Sequence, residues 1–136
     1  MSMKVFLGGT CNNSTWRDEL IPYLQSMKIS YFNPVVATWT EEDKLNEVIE
    51  KEQSEVHLYC ISKEQKGYFS IFEIAHSLYA LQKEVVFYVK EEGMDPKVIN
   101  SLNEIGKYVA MEQNGHFCNN KPLNLLEVLK KLNERL

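Results

Sequence analysis

Short β-rich runs alternating with amphipathic segments constrain this chain more than any other feature. Lys4-Val5-Phe6-Leu7 runs into Gly8-Gly9, as a buried strand ending in a tight turn would. Ile29–Asn33 follows and is closed by Pro34; Val56–Ile61 and Glu84–Val89 come next, and Tyr108–Met111 reads as a weaker fifth strand. Helical patterns fall near residues 15–27, 41–53, 71–82, 95–105 and 123–135. Strands alternating with helices build βαβ units and bury a parallel sheet between helical layers. The expectation is an α/β three-layer sandwich with a mainly parallel, roughly five-stranded sheet. No repeat, low-complexity tract or linker interrupts it, so residues 1–136 read as one domain.

The helical faces can be counted. Ile71, Ile74, Ala75 and Leu78 follow the i, i+3, i+4, i+7 rule, as do Leu125, Val128, Leu129 and Leu132. Leu45, Val48 and Ile49 give a shorter stripe in the second helix. Thr40 with Asp43 reads as an N-cap with its acidic partner, and Pro122 suits a first helical turn. Pro22 falls inside the first helical pattern and should kink or shorten it.

Composition excludes several classes. Hydrophobic residues make up 44% and charged residues 25% of the 136, the balance of a globular protein. A net charge of −4 with scattered basic residues argues against a nucleic-acid polymer as partner. No apolar run approaches the roughly 20 residues that span a bilayer, and the N-terminus lacks the pattern of a signal peptide. Cys11, Cys60 and Cys118 form an odd, widely spaced set. A reducing, cytoplasmic setting is the simpler expectation.

In open α/β sheets, ligands bind outside the carboxyl ends of the strands, and three segments belong there. Gly8-Gly9-Thr10-Cys11-Asn12-Asn13-Ser14-Thr15-Trp16 combines a close backbone approach with polar groups suited to hydroxyls. It is neither a GxGxxG turn nor a phosphate loop. The same residues also read as a turn and a helix cap, with Thr15 and Asp18 as a capping box. Tyr31-Phe32-Asn33-Pro34, with Trp39 beyond, offers aromatic walls and an amide, or equally core and turn. Gly67 to Ala75 holds Ser70 and Glu73 at capping-box spacing. The same placement puts Glu73 off the apolar stripe, where the helix dipole favours an ionised carboxylate. Such a group can attack a sugar anomeric carbon. The histidines and cysteines have no ligand spacing, so no metal is expected.

These residues carry a family resemblance. The first strand running into Gly8-Gly9, Trp16-Arg17-Asp18-Glu19, Tyr31-Phe32-Asn33-Pro34 and Ser70-Ile71-Phe72-Glu73-Ile74-Ala75 resemble the nucleoside 2-deoxyribosyltransferases, in particular a short, divergent branch. The resemblance implies a flavodoxin- or Rossmann-like fold and Glu73 as nucleophile. It implies a substrate site drawn from Gly8, Gly9, Thr10, Asn12, Trp16, Asn33 and Ser70. The substrate would be a nucleoside or nucleotide, no cofactor would be needed, and a homo-oligomer would complete the site. The family's acid six positions before the nucleophile is replaced here by Gly67; Glu64, between two lysines, is either a substitute or solvated surface. A module that binds a nucleoside without turnover is therefore the alternative to an enzyme. A receiver-like signalling domain would need an acidic cluster after the first strand, and Gly8-Gly9-Thr10 has none.

Overall fold

A computed structural model describes residues 3–11, 13–119 and 122–136, with Pro122 and Leu123 described by backbone alone. The chain runs β1 (Lys4–Gly9), α1 (Trp16–Ser26), β2 (Ser30–Phe32), α2 (Glu41–Gln53), β3 (Val56–Ile61) and α3 (Phe69–Ala75). A π-helical turn, His76–Ala80, continues α3; β4 (Glu84–Val89), α4 (Pro96–Met111), β5 (Gly115–Asn119) and α5 (Pro122–Arg135) complete it. The five strands form one parallel sheet in the order β2-β1-β3-β4-β5. The expected α/β architecture is the one observed.

Period-two alternation sorts the strand side chains onto two faces. Val5, Leu7, Leu58, Cys60, Val86 and Cys118 pack with Leu20, Leu24, Leu125, Leu129 and Leu132 of α1 and α5. Tyr59, Ile61, Val85, Phe87 and Val89 pack with Ile74, Leu78, Leu102 and Val109 on the opposite face. Each fully buried aliphatic side chain contributes about 1.5–3 kcal/mol, so these two layers hold the fold.

Several local expectations need correction. Tyr108–Met111 is the last turn of α4, because Leu102, Ile105, Gly106 and Val109 continue one helical stripe against the sheet. The fifth strand lies at Gly115–Asn119 instead. Ser70 is not an N-cap: α3 begins at Phe69, and Ser70 is buried in its first turn. The Thr15 side chain makes no capping bond to the α1 backbone and donates to Glu19 Oε1 at 3.2 Å. The Thr40–Asp43 capping box does form. α1 continues for four residues past Pro22, which sits on its exposed side. Ala75 is exposed, while Ile71, Ile74 and Leu78 face the core as expected.

The largest departure is α2, which buries no residue. Its apolar stripe of Leu45, Val48 and Ile49 faces outward, with Val48 58% exposed. Its inward side is polar, presenting Asp43, Glu47, Glu50 and Lys51. No helix among the described residues is long and apolar enough to cross a membrane.

Candidate functional site

The sheet order reverses beside β1: the chain moves to β2 on one side, then to β3, β4 and β5 on the other. Such a switch point leaves a crevice at the carboxyl ends of the adjacent strands. A cavity of about 340 Å³ lies there, within the range of small-molecule sites. Phe6, Gly8 and Gly9 of β1 line its base, and Pro34, Val35, Val36 and Trp39 form an apolar wall. Cys11 and Arg17 enter after the first strand, Glu47 from α2, and Phe69, Ser70 and Glu73 from α3.

The β1 turn needs both glycines. Gly9 has φ of +105°, and a Cβ there would collide with the backbone of Cys60. A Cβ on Gly8 would fall 2.5 Å from the Tyr59 ring. Thr10 N donates to Cys60 O at 2.9 Å, which extends the strand pairing into the turn. Thr10 Oγ1 donates to Gln65 Oε1 at 2.6 Å and accepts from Ser62 N at 3.0 Å, so Thr10 fastens the turn to the β3–α3 loop.

Arg17 is 5% exposed and donates to Leu7 O (3.0 Å), Thr10 O (2.7 Å) and Gly9 O (3.4 Å). Its guanidinium lies 4.3 Å from the Trp16 ring centroid. Burial lowers its pKa, opposed by nearby groups including Glu47. Arg17 gathers the carbonyls at the end of β1 and fixes the shape of the turn.

Glu73 projects from α3 into the cavity. Its Oε2 accepts from Lys51 Nζ at 2.6 Å, and the two side chains are 12% and 17% exposed. The Lys51 ammonium also sits 5.8 Å from the Phe6 ring and 5.9 Å from the Tyr59 ring. Glu47 lies one helical turn before Lys51 on the same face of α2. Burial, then the neighbouring Glu73 charge, raise its carboxyl pKa; Lys51 and Arg17 oppose the rise. The cavity thus holds two carboxylates in different environments, one ion-paired with Lys51 and one whose pKa burial raises.

Of the residues read from sequence, Gly8, Gly9, Ser70 and Glu73 line this cavity together. Trp16 lies in the opposite core and donates from Nε1 to Thr10 O at 2.9 Å; it supports the turn from behind. Thr10 is likewise a buried brace. Asn33 Oδ1 accepts from Val35 N at 3.1 Å, turning the chain towards the apolar wall. Asn12 lies outside the described residues. Glu64 accepts from Ser62 Oγ at 2.6 Å and does not line the cavity. Sequence reasoning missed Glu47 and Lys51. Their spacing opposite the Leu45, Val48 and Ile49 stripe was the available signal. Among the described residues no group of three His, Cys, Asp or Glu side chains could hold a metal ion.

The family model for nucleoside 2-deoxyribosyltransferase-like proteins matches residues 2–93, the part of the chain that builds the cavity. The chain belongs to the nucleoside 2-deoxyribosyltransferase-like family. No curated protein sequence matches it. Among solved structures, a conserved protein from Enterococcus faecalis V583 superposes with a TM-score of 0.65 at 15% identity, covering 97% of this chain and 99% of that one. A 2-deoxyribosyltransferase from the psychrotolerant bacterium Bacillus psychrosaccharolyticus superposes with a TM-score of 0.51 at 15% identity, covering 72% and 80%. At that identity the likeness is one of fold, and Glu73 of this nucleoside 2-deoxyribosyltransferase-like chain falls within the matched segment.

Proposed function

We propose that the protein cleaves or exchanges the base of a nucleoside or nucleotide, with Glu73 as the nucleophile. The observation that carries the reading is the Glu73 carboxylate, held by Lys51 at 2.6 Å in the crevice at the switch point of the sheet. In the first step a Glu73 oxygen bonds to C1′ and the C1′–N bond breaks, its electron pair leaving with the base. Glu47, whose carboxyl pKa is raised by burial and by the Glu73 charge, supplies the proton to the departing nitrogen. In the second step water or another base attacks C1′, Glu73 leaves, and Glu47 takes up the proton of the attacking group. The apolar wall of Val35, Val36 and Trp39 suits the flat face of a base. Lys51, bonded to Glu73 Oε2 at 2.6 Å, holds the nucleophile in place. No step calls for a metal or redox cofactor, and residues 1–136 act as one cytoplasmic domain.

The outward stripe of α2 supports a homo-oligomer. Leaving Leu45, Val48 and Ile49 partly in water forgoes a share of the roughly 1.5–3 kcal/mol that full burial of each would contribute. Along α3 and into the π-helical turn, Phe69, Phe72 and His76 stack outward in a row. Phe69 also lines the cavity, so a second copy on this surface would border the site.

The second reading is a binding module without turnover. The Lys51–Glu73 ion pair favours it, because a carboxylate bound to an ammonium is a weaker nucleophile than a free one. Chromatography of a nucleoside and nucleotide panel, with and without an acceptor base, separates the readings. Base release or exchange that vanishes in Glu73→Ala is expected. Thermal shifts with no base release in the wild type would instead establish the module.

A further inference from the structure

The buried histidine of β3 has no part in the steps above, yet its hydrogen bonds reach the backbone of Lys51 and the helical segment that follows Glu73. His57 is fully buried. Its Nε2 lies 2.6 Å from Lys51 O and its Nδ1 lies 2.8 Å from Ser77 Oγ. Ser77 Oγ lies 2.7 Å from Tyr59 Oη. The proton positions follow from what each atom can do. A carbonyl only accepts, so Nε2 carries the imidazole proton and donates to Lys51 O. Nδ1 of the neutral ring then accepts from Ser77 Oγ. Ser77 has spent its one proton and accepts from Tyr59 Oη. The chain runs in one direction, Tyr59 to Ser77 to His57 to the Lys51 carbonyl.

Its two ends matter because of where they sit. Lys51 is among the last four residues of α2, whose carbonyls have no partner within the helix. Ser77 stands four residues after Glu73 on the same helical face. α2 buries no residue, so apolar packing does little to fix its position over the sheet. Polar ties do that work: Lys51 to Glu73, Lys83 Nζ to Glu52 O, Lys4 to Glu50, and His57 to Lys51 O. Among these, the His57 bond is made by a fully buried side chain of the central sheet.

We propose that His57 is a positioning residue: through this chain it locks the Lys51 backbone to the helix that carries Glu73 and thereby sets the Lys51–Glu73 geometry. Burial pushes the imidazole pKa down to about 4, with the charges of Lys51 and Lys83 acting in the same direction, which keeps the ring neutral. The catalytic consequence rests on the proposed nucleophilic role of Glu73; the geometric claim does not.

The test is NMR on the full-length protein with ¹⁵N-labelled histidine, followed by variants. The wild type is expected to show a neutral His57 with an exchange-protected Nε2 proton and no titration between about pH 5.5 and 8. An Nδ1–H tautomer, or titration near neutral pH, would overturn the chain. Nuclear Overhauser contacts between the Lys51 Hε and Glu73 Hγ protons should be present in the wild type. They should persist in His57→Gln, which keeps a donor near the Nε2 position, and be lost in His57→Leu. Contacts persisting in folded His57→Leu would overturn the positioning role. Should His57→Leu fail to fold, Ser77→Ala reads the same contacts, expected to weaken and overturning the role if unchanged. In the base-release assay, Ser77→Ala should lower kcat about tenfold to a hundredfold with KM nearly unchanged. Glu73→Ala retaining activity would remove the nucleophile reading while leaving the NMR result to stand or fall separately.

Discussion

Lys51 and Glu73, on different helices and 22 residues apart, meet at 2.6 Å over the rings of Phe6 and Tyr59. Two mostly buried charges stay there because each compensates the other. Removing the cation alone leaves a carboxylate in a poorly solvated site. Lys51→Met is expected to cost about 3 kcal/mol of stability, and adding Glu73→Gln should recover most of it. Urea unfolding of the two single variants and the double variant checks this. A coupling energy below about 0.5 kcal/mol would make the pair energetically idle.

Glu47 should govern the alkaline side of turnover. Burial and the Glu73 charge raise its pKa, so its acid form persists to higher pH than that of an ordinary carboxyl group. As pH rises through that titration the proton for the leaving base is lost and kcat should fall. Glu47→Gln should remove this limb and lower kcat by about a hundredfold. Substrates whose base departs without protonation should be affected least. The measurement is kcat against pH for both proteins; an unchanged alkaline limb in the variant would exclude Glu47 as the donor.

Stability should fall on mild acidification because of His57. Its imidazole pKa is lowered from 6.5 to about 4 in the folded protein. Between those values the unfolded chain binds a proton that the folded chain does not. The contribution is fully present above 6.5 and is lost as pH falls to about 4. Its size is on the order of 3 kcal/mol. Denaturant midpoints across this range should drop more steeply in the wild type than in His57→Gln; equal slopes would refute the assignment.

The outward face of α2 should control assembly. A charge at Val48 opposes the burial of Leu45 and Ile49 against another copy without touching the core of its own chain. Val48→Glu is expected to convert an oligomer into a monomer of unchanged helix content. Sedimentation velocity with circular dichroism reads both. A wild type that is already monomeric at micromolar concentration would exclude the self-association.

How far the sequence reached can be seen residue by residue. The sheet was legible because Val56–Ile61 and Glu84–Val89 are buried on both faces and carry near-continuous apolar runs. Glu73 was legible because its position off the Ile71, Ile74 and Leu78 stripe already places it at the edge of the core. The fifth strand was misplaced because Tyr108–Met111 is apolar enough for either structure, and only packing against β5 resolves it as helix. Ser70 and Glu73 have the spacing of a capping box, but α3 starts two residues earlier than that box requires and buries Ser70 instead.

The sequence by itself determined the alternation of strands and helices, the glycine turn after β1 and the carboxylate at the head of α3. Each is a local matter of periodicity, backbone freedom or helix phase. Only the tertiary structure decided that α2 turns its charged side inward, bringing Glu47 and Lys51 to Glu73 and leaving Val48 outside. An amphipathic helix has two faces, and its sequence alone does not say what each will meet. Here a polar crevice competes with the core for that helix, and ion pairing with Glu73 and the bond from His57 to Lys51 O fix the outcome.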